Sequence, residues 1–198
     1  MTMLILASAS ETRRRILAVA GVSFEAEVPN VDEAPVKAAL LAEGATPDAV
    51  AATLAEQKAL RVAEHHSDAV VLGCDQVLVC DGRVFDKVDN TAAAREVLCA
   101  LRDKRHELIT AAVLVRGAEI LWRHSESASL WMRHFSDAFL DRYLVDEGVD
   151  ILSAVGCYRI EGRGAQLFAR VEGDQFAIRG LPLIPLLHAL RKRGLAAT

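Results

Sequence analysis

Residues 69–82 read AVVLGCDQVLVCDG, and the fold turns on how they are read. The apolar, β-branched run from Ala69 to Cys80 has the composition of a buried strand, interrupted at Gly73. The pair Asp81-Gly82 has the form of a tight hairpin turn that returns the chain through Arg83 to Phe85. A buried strand that ends in a hairpin must pair antiparallel on one side, so the sheet containing it is mixed and not purely parallel.

Upstream, residues 4–17 read LILASASETRRRIL. Met3 to Ala7 is a second buried strand, and Ser8 to Ser10 is a turn supplying the N-cap of a helix that runs to about Ala20. Residues 34–65 are Ala-rich with helical periodicity and break near Gly44 to Pro47, which predicts two helices. Downstream, Asn90 or Thr91 caps a helix to about Leu101, His106 to Arg116 is strand-like, and residues 118–133 offer a second strand pair. Ser136 then caps a helix to about Asp146. Gly156 to Gly180 is expected to form loops and short strands, and an amphipathic helix from Leu183 to about Arg193 closes the chain. This alternation predicts an α/β fold with a mixed sheet and flanking helices. No repeat, low-complexity tract or linker appears, so residues 1–198 are expected to form a single domain.

At 52% apolar and 25% charged, the composition is that of an ordinary globular protein. A net charge of -4 and a pI near 5.9 argue against a protein that coats nucleic acid, which needs broad phosphate neutralisation. They leave room for a local basic pocket holding one phosphorylated ligand. Cys74, Cys80, Cys99 and Cys157 lack CxxC or Cys/His spacing, so reduced, buried thiols are expected in place of a zinc site or disulfides. No apolar run reaches membrane-spanning length, and the N-terminus lacks a signal-peptide layout, which together predict a cytoplasmic protein with no membrane partner.

Three stretches carry candidate chemistry. Where LILASASETRRRIL passes from strand to helix, free backbone N–H groups and the helix dipole suit a phosphate, and the arginines of the first turn add bidentate donors. The alternative is a helix with a solvated basic face, and Glu11 puts a negative charge where an anion docks. In GCDQ, Asp75 and Gln76 follow the strand, where an acid can hold Mg²⁺ or accept a proton from water, or can simply make turn hydrogen bonds. Lys58 and Lys87 are candidate phosphate cations or surface lysines, and Glu33 is either a second metal-site acid or a loop acid. In Tyr158 to Gly164, Glu161 is either a receiver for the N–H groups of a purine or an exposed loop acid. The six histidines show no metal-binding spacing.

In order, LILASASETRRRIL, VDE, the Lys58 and Lys87 segments, GCDQV, RHELITAAV, WMRHFSDAFLDRYL, GCYRIEGRGAQLF and GLPL resemble the Maf family of nucleoside triphosphate pyrophosphatases over nearly the whole chain. The resemblance implies an elongated α/β fold of two lobes around a cleft, often dimeric, that needs a divalent metal such as Mg²⁺, Mn²⁺ or Co²⁺. It implies cleavage of a nucleoside triphosphate between the α and β phosphates to a monophosphate and pyrophosphate. Ser8, Ser10 and Arg13 would contact the triphosphate, Lys58 and Lys87 would be further phosphate cations, Glu33 and Asp75 would hold the metal, and Asp75 would be the proton acceptor that activates water. Arg14 and Arg15 fall to the helix surface or its edge.

Thr12, Gln76 and Glu161 match the family's base-selecting positions. Members acting on 7-methyl-GTP have Gln after the catalytic Asp and Glu in the later loop, as here, whereas pyrimidine-directed members have Arg, Thr and Gln. The chemistry agrees: N7 methylation makes guanine cationic, and a carboxylate accepting from N1–H and N2–H₂ also opposes that charge. The chain departs from the pattern with Glu11 in place of Pro, Thr12 in place of Arg or Trp, and Val88 in place of Pro. Preference for 7-methyl-GTP is therefore the leading expectation. The alternatives are a pyrimidine nucleotide pyrophosphatase (dTTP or UTP) and a weakly catalytic, nucleotide-binding regulator of cell division.

Overall fold

A computed structural model describes residues 3–197. Its strands are β1 (Leu4–Ala7), β2 (Glu25–Glu27), β3 (Val70–Cys80), β4 (Arg83–Phe85), β5 (Arg105–Arg116), β6 (Glu119–Met132) and β7 (Phe168–Glu172). Its helices are α1 (Glu11–Val19), α2 (Glu33–Ala42), α3 (Pro47–Ala63), α4 (Thr91–Leu101), α5 (Asp137–Glu147), α6 (Gln175–Ile178) and α7 (Leu183–Arg191). The strands form one sheet in the order β2-β1-β3-β5-β6-β7, with β4 paired to β3. β1 runs parallel to β2 and β3, while β4 and β7 pair antiparallel with β3 and β6. The mixed α/β architecture expected from Ala69–Gly82 is thus present.

Local chemistry sets the element ends. Ser10, Thr46, Asn90 and Ser136 each accept from a backbone N–H in the first turn of the helix they cap. Pro47 opens α3, where its missing N–H is harmless. Asp81 and Gly82, at φ 50° and 75°, make the left-handed two-residue turn between β3 and β4.

Three expectations are corrected. Gly73 does not interrupt the strand: β3 runs unbroken, and the glycine serves packing, because a Cβ there would lie 2.0 Å from the Ala55 carbonyl oxygen on α3. Residues 118–133 do not form a strand pair, since their alternating pattern continues through one strand of 14 residues, β6. The Gly156–Gly180 stretch contains one short strand, β7, but also a 3₁₀ turn at Arg163–Leu167 and the helix α6. The strand β2, three residues long and largely exposed, carries no apolar signal to announce it.

Two compact units are built on these elements. One comprises the described residues up to Gln76, with Ile109–Glu126 and the chain from Asp174; the other comprises Val77–Leu108 and Ser127–Gly173. In the first unit, alternation splits each strand between two faces. Leu4, Leu6, Val70, Leu72, Cys74, Ala112 and Leu114 join Ile16 and Leu17 of α1 and Leu183, Leu186 and Leu190 of α7 in one core. The residues between them, Val71, Gly73 and Asp75 on β3, belong to the opposite face, against which α3 lies through Ala55 and Ala59.

In the second unit, Tyr158, His106 and Phe168 form an aromatic cluster, with Tyr158 and Phe168 edge to face at 4.8 Å between ring centroids. All four cysteines are free thiols, and Cys99 is only half-buried, unlike the other three. No helix among the described residues is long and apolar enough to cross a membrane.

Candidate active site

The site in the first unit starts where β1 stops. Pairing between β1 and β3 ends at Ala7 opposite Gly73, so Cys74 offers its carbonyl oxygen to a side chain instead of to β1. Arg13 takes it: its Nη1 donates to Cys74 O at 2.9 Å and to Ser8 Oγ at 3.3 Å, and its Nε donates to Gly180 O at 2.7 Å. Ser10 caps the helix through the Arg13 N–H, and its own N–H donates to Ser8 Oγ. Ser8, Ser10 and Arg13 therefore form one hydrogen-bonded corner.

Arg13 is anchored by carbonyl and hydroxyl oxygens, and among the described residues it has no carboxylate partner. Its charge stays available to an anion, and Nη2 is its uncommitted edge. Arg14 behaves oppositely. It pairs with Glu11 at 3.2 Å and reaches back to the Ser8 carbonyl, so Glu11 is balanced by a neighbour one helical turn away. Arg15 is exposed, and Thr12 is half-buried beside Arg13.

On the other face of the sheet lies a buried ion triad. Lys58 Nζ donates to Asp75 Oδ1 at 2.5 Å and stands 2.8 Å from Glu33 Oε2. Lys58 and Asp75 are each only 6% exposed, whereas Glu33, at the first turn of α2, faces solvent. Burial pushes the Asp75 carboxyl above the usual range, and Glu33 pushes the same way, against the downward pull of Lys58 and Arg13. The same burial raises the neighbouring Cys74 thiol to about 11 and leaves it protonated. A signal for Lys58 was present in the sequence. Ala51, Leu54, Ala55, Lys58, Ala59 and Val62 form a single i, i+3, i+4 stripe on α3, and a lysine within an apolar stripe needs a buried partner.

Gln76 follows Asp75, so strand alternation turns its side chain to the opposite face. Its Nε2 lies 2.8 Å from Thr110 Oγ1, 3.0 Å from Ala177 O and 3.1 Å from Ile178 O. The expected pairing of carboxylate and carboxamide at one corner does not form. Their separation follows from the two-residue period of a strand.

The remaining expected residues belong to the second unit. Lys87 is exposed in the loop after β4, and Glu161 is exposed in the turn after Ile160. That turn is held from below: Arg159 donates to the buried Glu147 at 3.0 Å and pairs with Asp150 at 3.2 Å. Gly164 is required where it stands, since a Cβ would lie 2.5 Å from the Arg159 carbonyl oxygen.

Among the described residues, no three His, Cys, Asp or Glu side chains gather as a metal site. The donor set still suits a hard divalent cation, because two carboxylates, Glu33 and Asp75, already converge on one positive group, Lys58. Mg²⁺ is typically held by one or two carboxylates, with waters and substrate phosphates completing its shell.

An arginine held by neutral oxygens at the corner after β1, and a buried carboxylate within the neighbouring strand β3, are the arrangement of an α/β enzyme. The chain belongs to the Maf family: residues 3–193 match the family model described as Maf-like protein. It is 49% identical over 189 residues to a nucleoside triphosphate pyrophosphatase of Granulibacter bethesdensis, covering 96% of each chain. It is 48% identical over 190 residues to a protein of the same description from Paramagnetospirillum magneticum, covering 96% of this chain and 98% of the other. A 7-methyl-GTP pyrophosphatase of Rhizobium meliloti is 47% identical over 192 residues, covering 97% of this chain and 96% of that one. Gly180, whose carbonyl holds Arg13, and Thr110 and α6, which hold Gln76, escaped the sequence reading, since backbone acceptors leave no residue-type signature.

Proposed function

We propose that this Maf-family pyrophosphatase acts on 7-methyl-GTP, releasing 7-methyl-GMP and pyrophosphate, with Arg13, Ser8 and Ser10 receiving the triphosphate and Asp75 accepting the proton of the attacking water. The observation that carries the reaction is the contrast between the two cationic side chains of the first unit. Arg13 is held in place by neutral oxygens with its charge unspent, while Lys58 balances Asp75 and Glu33. One therefore serves an incoming anion, and the other keeps two oxygen donors poised. Water oxygen bonds to phosphorus as the bridging P–O bond breaks, the water proton passes to Asp75, and pyrophosphate leaves with its charge opposed by Arg13. Burial raises the basicity of Asp75, which strengthens it as a proton acceptor. Glu33 and Asp75 would hold a divalent cation, which spreads the phosphate charge as the bond breaks.

Base selection falls to Thr12, Gln76 and Glu161. With its amide nitrogen committed internally, Gln76 contributes through its carbonyl oxygen. Glu161 contributes a carboxylate to the N1–H and N2–H₂ edge of a cationic purine, and a relative named for this substrate at 47% identity supports that choice. The test is pyrophosphate release from 7-methyl-GTP, GTP, dTTP and UTP with Mg²⁺, Mn²⁺ or Co²⁺, repeated with Glu161→Gln. The expected result is a preference for 7-methyl-GTP over GTP that the variant reduces about tenfold or more, the scale of one charge-assisted hydrogen bond. Preference for dTTP or UTP, or an equal loss on both purines, overturns the assignment of substrate. No turnover of any nucleotide turns the reading towards a regulatory binder.

A further inference from the structure

Among the described residues, six polar or charged ones are buried: Ser8, Lys58, Asp75, His106, Thr110 and Glu147. Ser8, Lys58 and Asp75 belong to the site above, His106 to the aromatic cluster, and Glu147 to the support of the Glu161 turn. Thr110, 1% exposed on β5, holds Gln76 but has a second bond of its own.

Its hydroxyl donates to Ala177 O at 2.9 Å and accepts from Gln76 Nε2 at 2.8 Å. Gln76 also reaches Ala177 O and Ile178 O. These carbonyls close α6, a single turn whose last C=O groups have no partner within the helix. The other end of α6 is held by Asp174, whose Oδ1 accepts from the Phe176 and Ala177 N–H groups at 2.9 and 2.8 Å. Immediately after α6 the chain turns at Gly180, φ 92°, whose N–H donates to Ala177 O at 2.8 Å and whose carbonyl receives Arg13 Nε at 2.7 Å.

The same Ala177 oxygen thus joins Thr110 and Gln76 on one side to the Gly180 turn on the other. A residue with a Cβ at position 180 would be strained by that φ and would crowd the guanidinium, 3.4 Å from Arg13 Nε. The carbonyl that aims Arg13 is therefore fixed by the α6 clamp, and the clamp is fixed by Thr110.

We propose that Thr110 is a positioning residue for Arg13: acting through Ala177 and Gly180, it sets the direction in which the guanidinium meets a substrate phosphate. This rests on the reading of Arg13 as the triphosphate ligand. Thr110 touches no reacting atom in this scheme. Thr110 also accepts from Gln76 Nε2, so its action on Arg13 is isolated by coupling to Arg13 and not by comparing nucleotides.

The test is a double-mutant cycle on pyrophosphate release with Thr110→Val, Thr110→Ser, Arg13→Lys and the pair Thr110→Val/Arg13→Lys, measured with 7-methyl-GTP and GTP. Thr110→Val is expected to raise KM about tenfold, the scale of one hydrogen bond, with a smaller change in kcat, and the readout is its coupling to Arg13. Thr110→Ser, which keeps the hydroxyl, is expected to restore KM. In the Arg13→Lys background Thr110→Val is expected to add nothing, because the group it positions is gone. An additive effect there, or a loss of thermal stability with KM unchanged, overturns the positioning role. If Arg13→Lys by itself leaves KM and kcat unchanged, the triphosphate reading of Arg13 fails instead. Should Thr110→Val not fold, Thr110→Ala in the same cycle gives the same discrimination.

Discussion

Replacing Lys58 with methionine tests the buried triad most directly. The side chains are similar in length, so the change removes the ammonium with little loss of packing around Leu54, Ala55 and Ala59. Asp75 then keeps its burial, 6% exposed, and its neighbour Glu33, and loses the cation 2.5 Å away. Leaving one partner of a buried ion pair uncompensated destabilises a fold by about 3–5 kcal/mol.

The sign of the pH dependence follows from protonation. In the folded protein the Asp75 carboxyl already titrates above its ordinary 3.8 because burial raises it, and the Lys58 ammonium is the largest influence pulling the other way. Without Lys58 it rises further. A raised acid holds its proton more tightly folded than unfolded, so the penalty is full above the folded pKa, shrinks as pH falls below it and is gone only below the unfolded value of 3.8. Urea denaturation of both proteins from pH 5 to 8 should show Lys58→Met at its greatest disadvantage at pH 8, with the gap closing on acidification. The acid limb of kcat/KM for any residual pyrophosphate release should move to higher pH. A stability gap that is absent, or equally large at pH 5 and pH 8, would refute the picture of an ammonium holding a buried carboxylate ionised.

Asp75→Asn keeps the shape of the side chain but cannot take a proton, so turnover should fall by about 100-fold or more while nucleotide binding persists, read by single-turnover pyrophosphate release and by calorimetry; normal turnover would remove Asp75 as the base. His106, fully buried with Nε2 2.8 Å from the Tyr158 hydroxyl, is pushed down by burial to about 4, from 6.5. The unfolded chain therefore takes up the proton first, and its contribution to stability is lost as pH falls from 6.5 towards 4. The wild type should lose about 2 kcal/mol more than His106→Leu between pH 8 and pH 5 in denaturant titrations; parallel pH slopes would contradict this. Gly73→Ala places a methyl group 2.0 Å from the Ala55 carbonyl oxygen, on backbone that cannot swing aside. It should cost about 3 kcal/mol or more in chemical denaturation, and a near-neutral result would mean that α3 does not lie that close to β3.

The sheet's mixed character was legible in residues 69–82, because an apolar β-branched run and an Asp-Gly turn are both short-range signals. Helix starts were equally legible: Ser10, Asn90 and Ser136 do the capping locally, through bonds spanning three residues. The roles of individual charges were not. Residue type did not separate the three successive arginines; the family resemblance singled out Arg13, and its partners Cys74 and Gly180, 61 and 167 positions away, came only with the fold, as did the pairing of Arg14 with Glu11. Gly73 read as a break because its reason for being there, the backbone of α3, lies across the fold.

The sequence by itself determined most of the element types, the family and which cations and carboxylates were candidates for the site, since these depend on residue type, spacing and order along the chain. The tertiary structure alone decided which cation is held by neutral oxygens and which is paired with carboxylates, and that Asp75 and Gln76, adjacent in the chain, face opposite sides of the sheet. The physical reason is the same in each case. Burial and long-range carbonyl partners set the basicity of Asp75 and the direction of Arg13, and neither exists until β1, β3, α3 and the Gly180 turn have come together.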